Sequence, residues 1–331
     1  MKNDCYLTGY GFHAPQKVMT NQDFERLVDT SDDWITARTG IKERRICTGE
    51  NCTDLAYQAS IQALQEAALT PEDLTHVILA TFTPDTFVPN GACSLLEKLG
   101  HRNIAALDVN AACTGFLYAL ELARGLCMLP SPSNILVVAS EALTSRVNFQ
   151  DRGTCVLFGD GAGAAVISDQ PSRNQEINSH LVDVCLKADG ALGNLLTVKG
   201  GGSAYPLSLG DTVGENFFVQ MEGREVFRQA VRSMYNVSQE ILERNGLRPE
   251  DVNLVIPHQA NIRIIEALAK KLNLDPGNLF VNVQKYGNTS AASVPIALAE
   301  AKLQGQIKPG DLILLVAFGG GFTWGAALVR F

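Results

Sequence analysis

The sequence predicts an α/β fold made of two similar halves, and three patterns carry that prediction. Segments of strand character alternate with segments of helical spacing along the chain, the arrangement in which helices cover the faces of a sheet. Residues 60–78 and 237–256 share one design: an amphipathic helix, a Pro-Glu-Asp turn (Pro71-Glu72-Asp73 and Pro249-Glu250-Asp251) and an apolar strand. A second echo closes each half. The strand at 135–138, followed by Phe158-Gly159-Asp160-Gly161 and the run to Ile167, is answered by 312–316 and then Phe318-Gly319-Gly320-Gly321 and the run to Val329. The halves are therefore read as 1–170 and 171–331, with Asp169-Gln170-Pro171-Ser172-Arg173-Asn174 as the linker.

Composition narrows the class. A chain of 331 residues with 46% hydrophobic and 19% charged content is globular with a large interior. The net charge of -8 argues against nonspecific binding to nucleic acid or to an anionic membrane. No apolar run reaches the ~18 residues of a membrane span, and Met1-Lys2-Asn3-Asp4 opens without a signal-peptide core, so a cytoplasmic protein is expected. Its eight cysteines include no Cys-x-x-Cys pair. That argues against a zinc knuckle or a dithiol redox motif and for free thiols in a reducing compartment.

In chain order, Cys5 to Phe12 reads as a strand running into a Gly-containing bend, followed by a short helix that Asn21 caps. The stretch from Thr30 to Arg45 sets Trp34 among clustered arginines, a surface suited to a flat aromatic and phosphates; the alternative is a solvated face with Trp34 in the core. After the first copy of the repeat, residues 104–109 form a short buried strand, and 114–125 have helical spacing at Phe116, Leu117, Leu120 and Ala123. Cys113 thus sits at a strand-to-helix turn. The unpaired N–H groups of a helix start favour thiolate and pull the thiol pKa down from about 8.5. Taken alone, Cys113 fits a small buried hydrophobe as well. Residues 188–215, with seven glycines and little periodicity, read as a long loop insertion. Neither Gly-rich stretch ends in the Lys-Ser/Thr of a phosphate loop, and Phe158-Gly159-Asp160-Gly161 precedes a strand, which argues against nucleotide cradling.

The repeat brings further polar groups to strand ends. His258 directly follows the second-half strand, and Asn288 lies in the loop equivalent to that of Cys113. Open α/β sheets bind ligands at the carboxyl ends of their strands, so Cys113, His258 and Asn288 are expected in one cleft, an arrangement for acyl transfer.

These residues resemble a known family. Ala111-Ala112-Cys113-Thr114-Gly115-Phe116, His258-Gln259-Ala260-Asn261, Gly287-Asn288-Thr289-Ser290-Ala291-Ala292-Ser293 and Phe318-Gly319-Gly320-Gly321-Phe322-Thr323-Trp324-Gly325 are similar, in matching order, to the signatures of β-ketoacyl-acyl-carrier-protein synthase III. Thr30 to Ile35, Arg38 to Ile41 and Asp151 to Thr154 add to the likeness, which covers the whole chain and is weakest over 188–215. The resemblance implies the thiolase fold, five αβαβα layers, and a homodimer. It implies an acyltransferase that condenses an acyl-CoA primer with malonyl-acyl carrier protein, with loss of CO2, to start fatty acid synthesis.

By the same resemblance, Cys113 is the nucleophile, His258 and Asn288 stabilise the enolate, and the N–H groups of Cys113 and Gly320 form the oxyanion hole. Trp34 and Arg152 would stack on the CoA adenine, Arg38 would meet phosphate, and Gly223 and Asn261 would line the pantetheine tunnel. Arg263, Arg228, Lys270 and Lys271 would receive the acidic carrier protein, the two lysines reading equally as a solvated helix face. No metal or redox cofactor is implied, acyl-CoA being a substrate. Three departures are Thr114 where alanine is common, Phe322 where leucine is common, and Val88 where acetyl-selective members place a phenylalanine in the partner's acyl pocket, with Phe87 as its nearest substitute. A relative using a longer, aromatic or carboxylated primer in a secondary-metabolite or cofactor pathway is the runner-up. A non-catalytic acyl-CoA or carrier-protein scaffold and a cysteine hydrolase are the alternatives from other classes.

Overall fold

The computed structural model describes residues 4–129, 133–172 and 179–331. The first half runs β1 (Tyr6–His13), β2 (Val18–Thr20), α1 (Asn21–Glu25), α2 (Asp32–Thr39), β3 (Glu43–Arg45), α3 (Cys52–Ala67), β4 (His76–Ala80), α4 (Gly91–Lys98), β5 (Ala105–Val109), α5 (Gly115–Cys127), β6 (Asn134–Glu141) and β7 (Gly161–Ser168). The second runs β8 (Ser179–Ala188), β9 (Leu196–Thr197), β10 (Gln220–Met221), α6 (Gly223–Arg244), β11 (Leu254–Pro257), α7 (Ile262–Leu272), α8 (Val283–Tyr286), α9 (Ser293–Leu303), β12 (Leu312–Gly319) and β13 (Thr323–Arg330). The linker read between the halves runs past Ser172 into residues outside the described set.

Pairing repeats as the sequence does. In the first half β1 and β6 flank β7 antiparallel, β4 runs parallel to β6, and β5 parallel to β4. In the second, β8 and β12 flank β13 antiparallel, β11 runs parallel to β12, and a single parallel bridge from Val255 to Leu279 stands where a fifth strand would pair. The two sheets join through a short contact of Tyr6 and Leu7 with Ser179 and His180, which makes one nine-stranded order from β11 to β5.

The layers follow from which faces are apolar. Helix α3 packs on β1, β7 and β6 from one outer side, while α6 packs with α7 on β12 and β13 from the other. Helices α5 and α9 touch strands of both sheets and form the middle layer, giving the expected αβαβα order. Accordingly every residue of α9 from Ser293 to Ala301 is buried, whereas α3 keeps a polar face. Among the described residues no helix is long and apolar enough to cross a membrane.

Four local readings are corrected. The strand read as buried at 104–109 is β5, which lies at the edge of the sheet with Ala105 and Leu107 exposed. Gly9 and Gly11 do not form a bend but lie inside β1, where α3 crosses so closely that an added Cβ would stand 2.8 Å from Ala67 N and 2.7 Å from Ala63 N respectively. The cap of α1 is Thr20, paired reciprocally with Asp23; Asn21 is buried, its amide donating to Asp32, Thr36 and the Ile41 carbonyl. The 188–215 stretch is not one loop: β8 ends at Ala188, a 3-10 turn spans Gly190–Leu195, and β9 pairs with β10.

Candidate active site

The nucleophile turn is fixed from three sides. A single 3-10 turn, Ala112–Thr114, links the segment after β5 to α5, and Gly115 lets the helix start approach Ala80 and Ala291 closely. The Thr323 hydroxyl stands 3.0 Å from the Ala111 carbonyl oxygen and 3.1 Å from Thr114 Oγ1, while Thr114 Oγ1 donates to the Thr323 carbonyl at 3.1 Å. Thr114 thus ties the turn to the loop that carries Gly320. At Gly319 an added Cβ would lie 2.7 Å from Cys113 N, so only glycine admits the nucleophile there. Phe322 is buried against Phe318, ring centroids 4.7 Å apart.

Cys113 is buried, and burial is the largest influence on it, pushing the thiol up to about 11 against the opposing hydrogen bonds of Ser290 and of its own N–H. The expectation of a lowered pKa is therefore corrected: the ligand-free protein holds a thiol. Desolvation outweighs the helix start because an isolated buried anion loses far more solvation than a terminal dipole restores. The Ser290 hydroxyl reaches Cys113 Sγ at 3.5 Å.

His258 follows β11, its N–H bonded to the Val316 carbonyl as though the parallel pairing went on. Burial lowers its pKa to about 4, so the imidazole is neutral near pH 7. Nδ1 lies 2.6 Å from Ser293 Oγ, which also accepts the Gln259 N–H at 3.4 Å. With that lone pair occupied we assign the Ser293 proton to Nδ1, leaving Nε2 as the donor end of the ring. Gln259 holds the turn by donating to the Pro257 and Phe280 carbonyls and accepting from Asn282 N and Val283 N. Asn288 is pinned by its N–H to the Leu157 carbonyl, and its Oδ1 accepts the Ser290 N–H at 2.8 Å, which leaves the amide nitrogen as a donor.

Cys113, His258 and Asn288 line one cavity of about 860 Å³, together with Ser290, Gly320, Gly223 and Asn261. The exposed Arg38, Arg224 and Arg263 also line it. Leu196, Thr197 and Val198 of the stretch read as an insertion form part of its wall. Asn261 caps α7, its Oδ1 taking the Arg263 N–H at 2.9 Å.

Trp34 is half-buried, with the Arg38 and Arg152 guanidinium carbons 4.5 and 4.2 Å from its ring centroid. Of the neighbouring arginines, Arg44 departs from the surface reading. It is fully buried over the Phe24 ring and donates to Asn21 Oδ1 and the Val156 carbonyl.

Of the expected basic patch, Arg263 lines the cavity, and Arg228, Lys270 and Lys271 do not. Lys270 and Lys271 occupy the last turn of α7, which at 1.5 Å per residue is roughly 10 Å from Arg263, and Lys271 lies over Tyr235. Arg228 pairs with Glu225 at 2.6 Å. Phe87 and Val88 stand 76% and 89% exposed and do not line this chain's own cavity.

Sequence reading missed Arg224, Ser293 and Glu141 as site neighbours. Glu141 had a signal, a carboxylate at the end of the apolar run Ile135 to Ala139, whereas Arg224 on an exposed helix turn had none.

Comparison with known proteins shows the family and the fold. The family described as 3-Oxoacyl-[acyl-carrier-protein (ACP)] synthase III matches residues 107–196, and its C-terminal counterpart matches residues 242–331. A beta-ketoacyl-acyl-carrier-protein synthase III of Oleidesulfovibrio alaskensis is 52% identical over 331 residues, covering 100% of both chains. The crystal structure of 3-oxoacyl-acyl-carrier-protein synthase III from Aquifex aeolicus superposes with a TM-score of 0.90 at 48% identity, covering 99% of this chain and 100% of that one. A priming beta-ketosynthase from a polyketide biosynthetic pathway superposes at 0.89 with 32% identity, over 98% and 96% of the chains.

Proposed function

The chain belongs to the β-ketoacyl-acyl-carrier-protein synthase III family, and from that membership we infer how its cavity works. It is an acyltransferase that condenses an acyl-CoA primer with malonyl-acyl carrier protein, releasing CoA and CO2, the step that starts fatty acid synthesis. The observation that carries this is the convergence of Cys113, His258 and Asn288 on one cavity in a chain about half identical to such synthases over its full length.

In the proposed course Cys113 attacks the primer thioester, CoA leaves, and the acyl group stays on sulfur. Malonyl carrier protein follows. The neutral His258, through Nε2–H, and Asn288, through its amide nitrogen, donate to the malonyl thioester oxygen and stabilise the enolate formed as CO2 departs. The enolate carbon then attacks the acyl carbonyl, whose oxyanion sits between the N–H groups of Cys113 and Gly320, each such donor being worth roughly 3 to 4 kcal/mol. Trp34 and Arg152 would part to take the adenine, and Arg38 would meet phosphate. Gly223 and Asn261 would line the pantetheine, and Arg263 with Arg224 and Arg228 would meet the acidic carrier protein. Lys270 and Lys271, roughly 10 Å along α7 from Arg263, would extend that basic face. No step of the course calls for a metal or a redox cofactor.

A homodimer belongs to the same proposal. What supports it is the edge strand β5, whose Ala105 and Leu107 are exposed, beside the exposed Phe87 and Val88. A cytoplasmic location is proposed as well, and eight cysteines with no disulfide among the described residues fit a reducing compartment.

Intact-protein mass spectrometry and separate half-reaction assays test the reading. Cys113→Ser abolishes the acyl adduct. His258→Ala and Asn288→Ala still acylate but lose about 100-fold or more in malonyl decarboxylation. An adduct surviving Cys113→Ser, or acylation lost and decarboxylation kept in the other two, overturns it.

A further inference from the structure

The two side chains that donate to the enolate come from separate segments of the chain, and one buried helix holds both segments. In the buried run of α9 from Ser293 to Ala301 the polar residues are Ser293 and Glu300. They stand about two helical turns apart and so share a face of the helix. Ser293 holds the His258 arm through its 2.6 Å contact with Nδ1. Glu300 does not line the cavity and holds the Asn288 arm instead. Its Oε2 accepts from Asn282 Nδ2 at 2.8 Å, and its Oε1 accepts from Lys285 Nζ at 2.6 Å and from Gln304 Nε2 at 3.1 Å. The two arms meet at Gln259, the neighbour of His258, whose Oε1 accepts the N–H groups of Asn282 at 2.9 Å and Val283 at 3.2 Å. Asn282 is thus gripped by Glu300 on its side chain and by Gln259 on its backbone.

We propose that Glu300 is a positioning residue for decarboxylation, which holds Asn282 and Lys285 at the two ends of α8 and thereby sets the spacing between the His258 and Asn288 donors. A carboxylate suits that place, because its two oxygens meet donors from both ends of α8 while the Lys285 cation, 45% exposed, compensates a charge that is only 6% exposed. Beyond α8 there is little slack. Gly287, at φ 63° and with the Leu157 carbonyl oxygen 2.8 Å from where a Cβ would stand, leads directly into Asn288. The backbone of Asn288 is in turn bonded to Leu157 and Gly159. A displaced α8 therefore reaches the Asn288 amide across a single residue. The enolate oxygen needs both donors at once, so an error in one arm is felt most at that step. Attack by Cys113 on the primer uses neither arm.

This inference rests on the roles proposed for His258 and Asn288, and the experiment keeps the two claims apart. Acylation by intact mass, CO2 release from malonyl carrier protein and Tm are measured for wild type, Glu300→Gln, Asn282→Asp, the double variant of these two, and Lys285→Met. In Glu300→Gln a single amide oxygen replaces two acceptors, so one end of α8 is released. Its kcat for decarboxylation, per acylable enzyme, is expected to fall about tenfold or more, with KM and the acylation rate within about twofold of wild type. Asn282→Asp sets two carboxylates face to face and is expected to fall likewise. In the double variant the new amide donates to the new carboxylate while its oxygen accepts from Lys285, so decarboxylation returns to within about threefold of wild type. Decarboxylation unchanged in Glu300→Gln, both half-reactions falling in parallel with Tm, or a double variant no better than Glu300→Gln overturns the inference. Should Glu300→Gln fail to fold, Lys285→Met at the surface decides: decarboxylation alone falls about threefold or more, and an unchanged ratio of the two rates overturns the inference. His258→Ala and Asn288→Ala that decarboxylate as wild type does overturn the proposed roles instead.

Discussion

Glu141 and His258 are shifted in opposite directions by the same cause, and that makes their effect on stability separable. Glu141 binds its proton more tightly folded, to about pH 7, than unfolded, where a glutamate titrates near 4.5. Its contribution is present below the unfolded value and lost as pH rises through 7. His258 is lowered to about 4, so its contribution is present above the unfolded 6.5 and lost as pH falls toward 4. The slopes from these two groups oppose each other between about 4.5 and 6.5. Denaturant unfolding of wild type and Glu141→Gln is therefore expected to diverge with pH. The variant gains on the order of 3 kcal/mol relative to wild type between pH 4.5 and 8, at 1.36 kcal/mol per unit. A pH-independent difference would mean that Glu141 is not raised.

At the scale of elements, close approach rather than conformation decides where glycine is needed. Gly9 and Gly11 let α3 lie against β1, and Gly319 lets β12 end against Cys113. The same substitution is predicted to fail differently at the two places. Gly9→Ala or Gly11→Ala pushes backbone against backbone across a packed layer and costs about 3 kcal/mol or more, read as a lowered Tm or insoluble protein. Gly319→Ala meets Cys113 N in the single turn that carries the nucleophile rather than in a packed helix–strand layer. Its Tm changes less, and its acylation rate falls at least tenfold because the nucleophile and its N–H shift together. Equal losses of Tm in all three would refute the distinction.

At the scale of the whole molecule, primer length and assembly are one question. Phe87 and Val88 project from the β4–α4 loop into solvent, and the proposed dimer would place them at the partner's acyl pocket. Valine in place of phenylalanine opens room for two or three methylenes, each worth about 0.8 kcal/mol when buried, so a longer primer gains a factor of roughly ten or more. Wild type is expected to use octanoyl-CoA at least as well as acetyl-CoA, and Val88→Phe to shift the kcat/KM ratio back toward acetyl-CoA. Light scattering should give twice the 35.7 kDa chain mass. A monomer, or a ratio unmoved by the substitution, would remove Val88 from the pocket; in a dimer with an unmoved ratio Phe87 is the residue to test next.

The sequence by itself determined the duplicated α/β plan, because hydrophobic period and turn residues are local properties and recur visibly in 60–78 and 237–256. It also placed Cys113 and His258 after strands, since a motif and the strand before it are neighbours along the chain, whereas Asn288 follows the short helix α8, with only a bridge at Leu279 where a strand was expected. What it misjudged depended on contacts between distant segments. Gly9 looked like a bend because α3, fifty residues on, was not in view; Arg44 looked like surface because its partners Asn21 and Val156 are brought to it by folding. The protonation of the nucleophile was decided in the same way. A helix start is legible from Thr114 onward, but the depth at which Cys113 is buried, and the arrival of Ser290 and Glu141 beside it, exist only once the middle layer has closed over the turn.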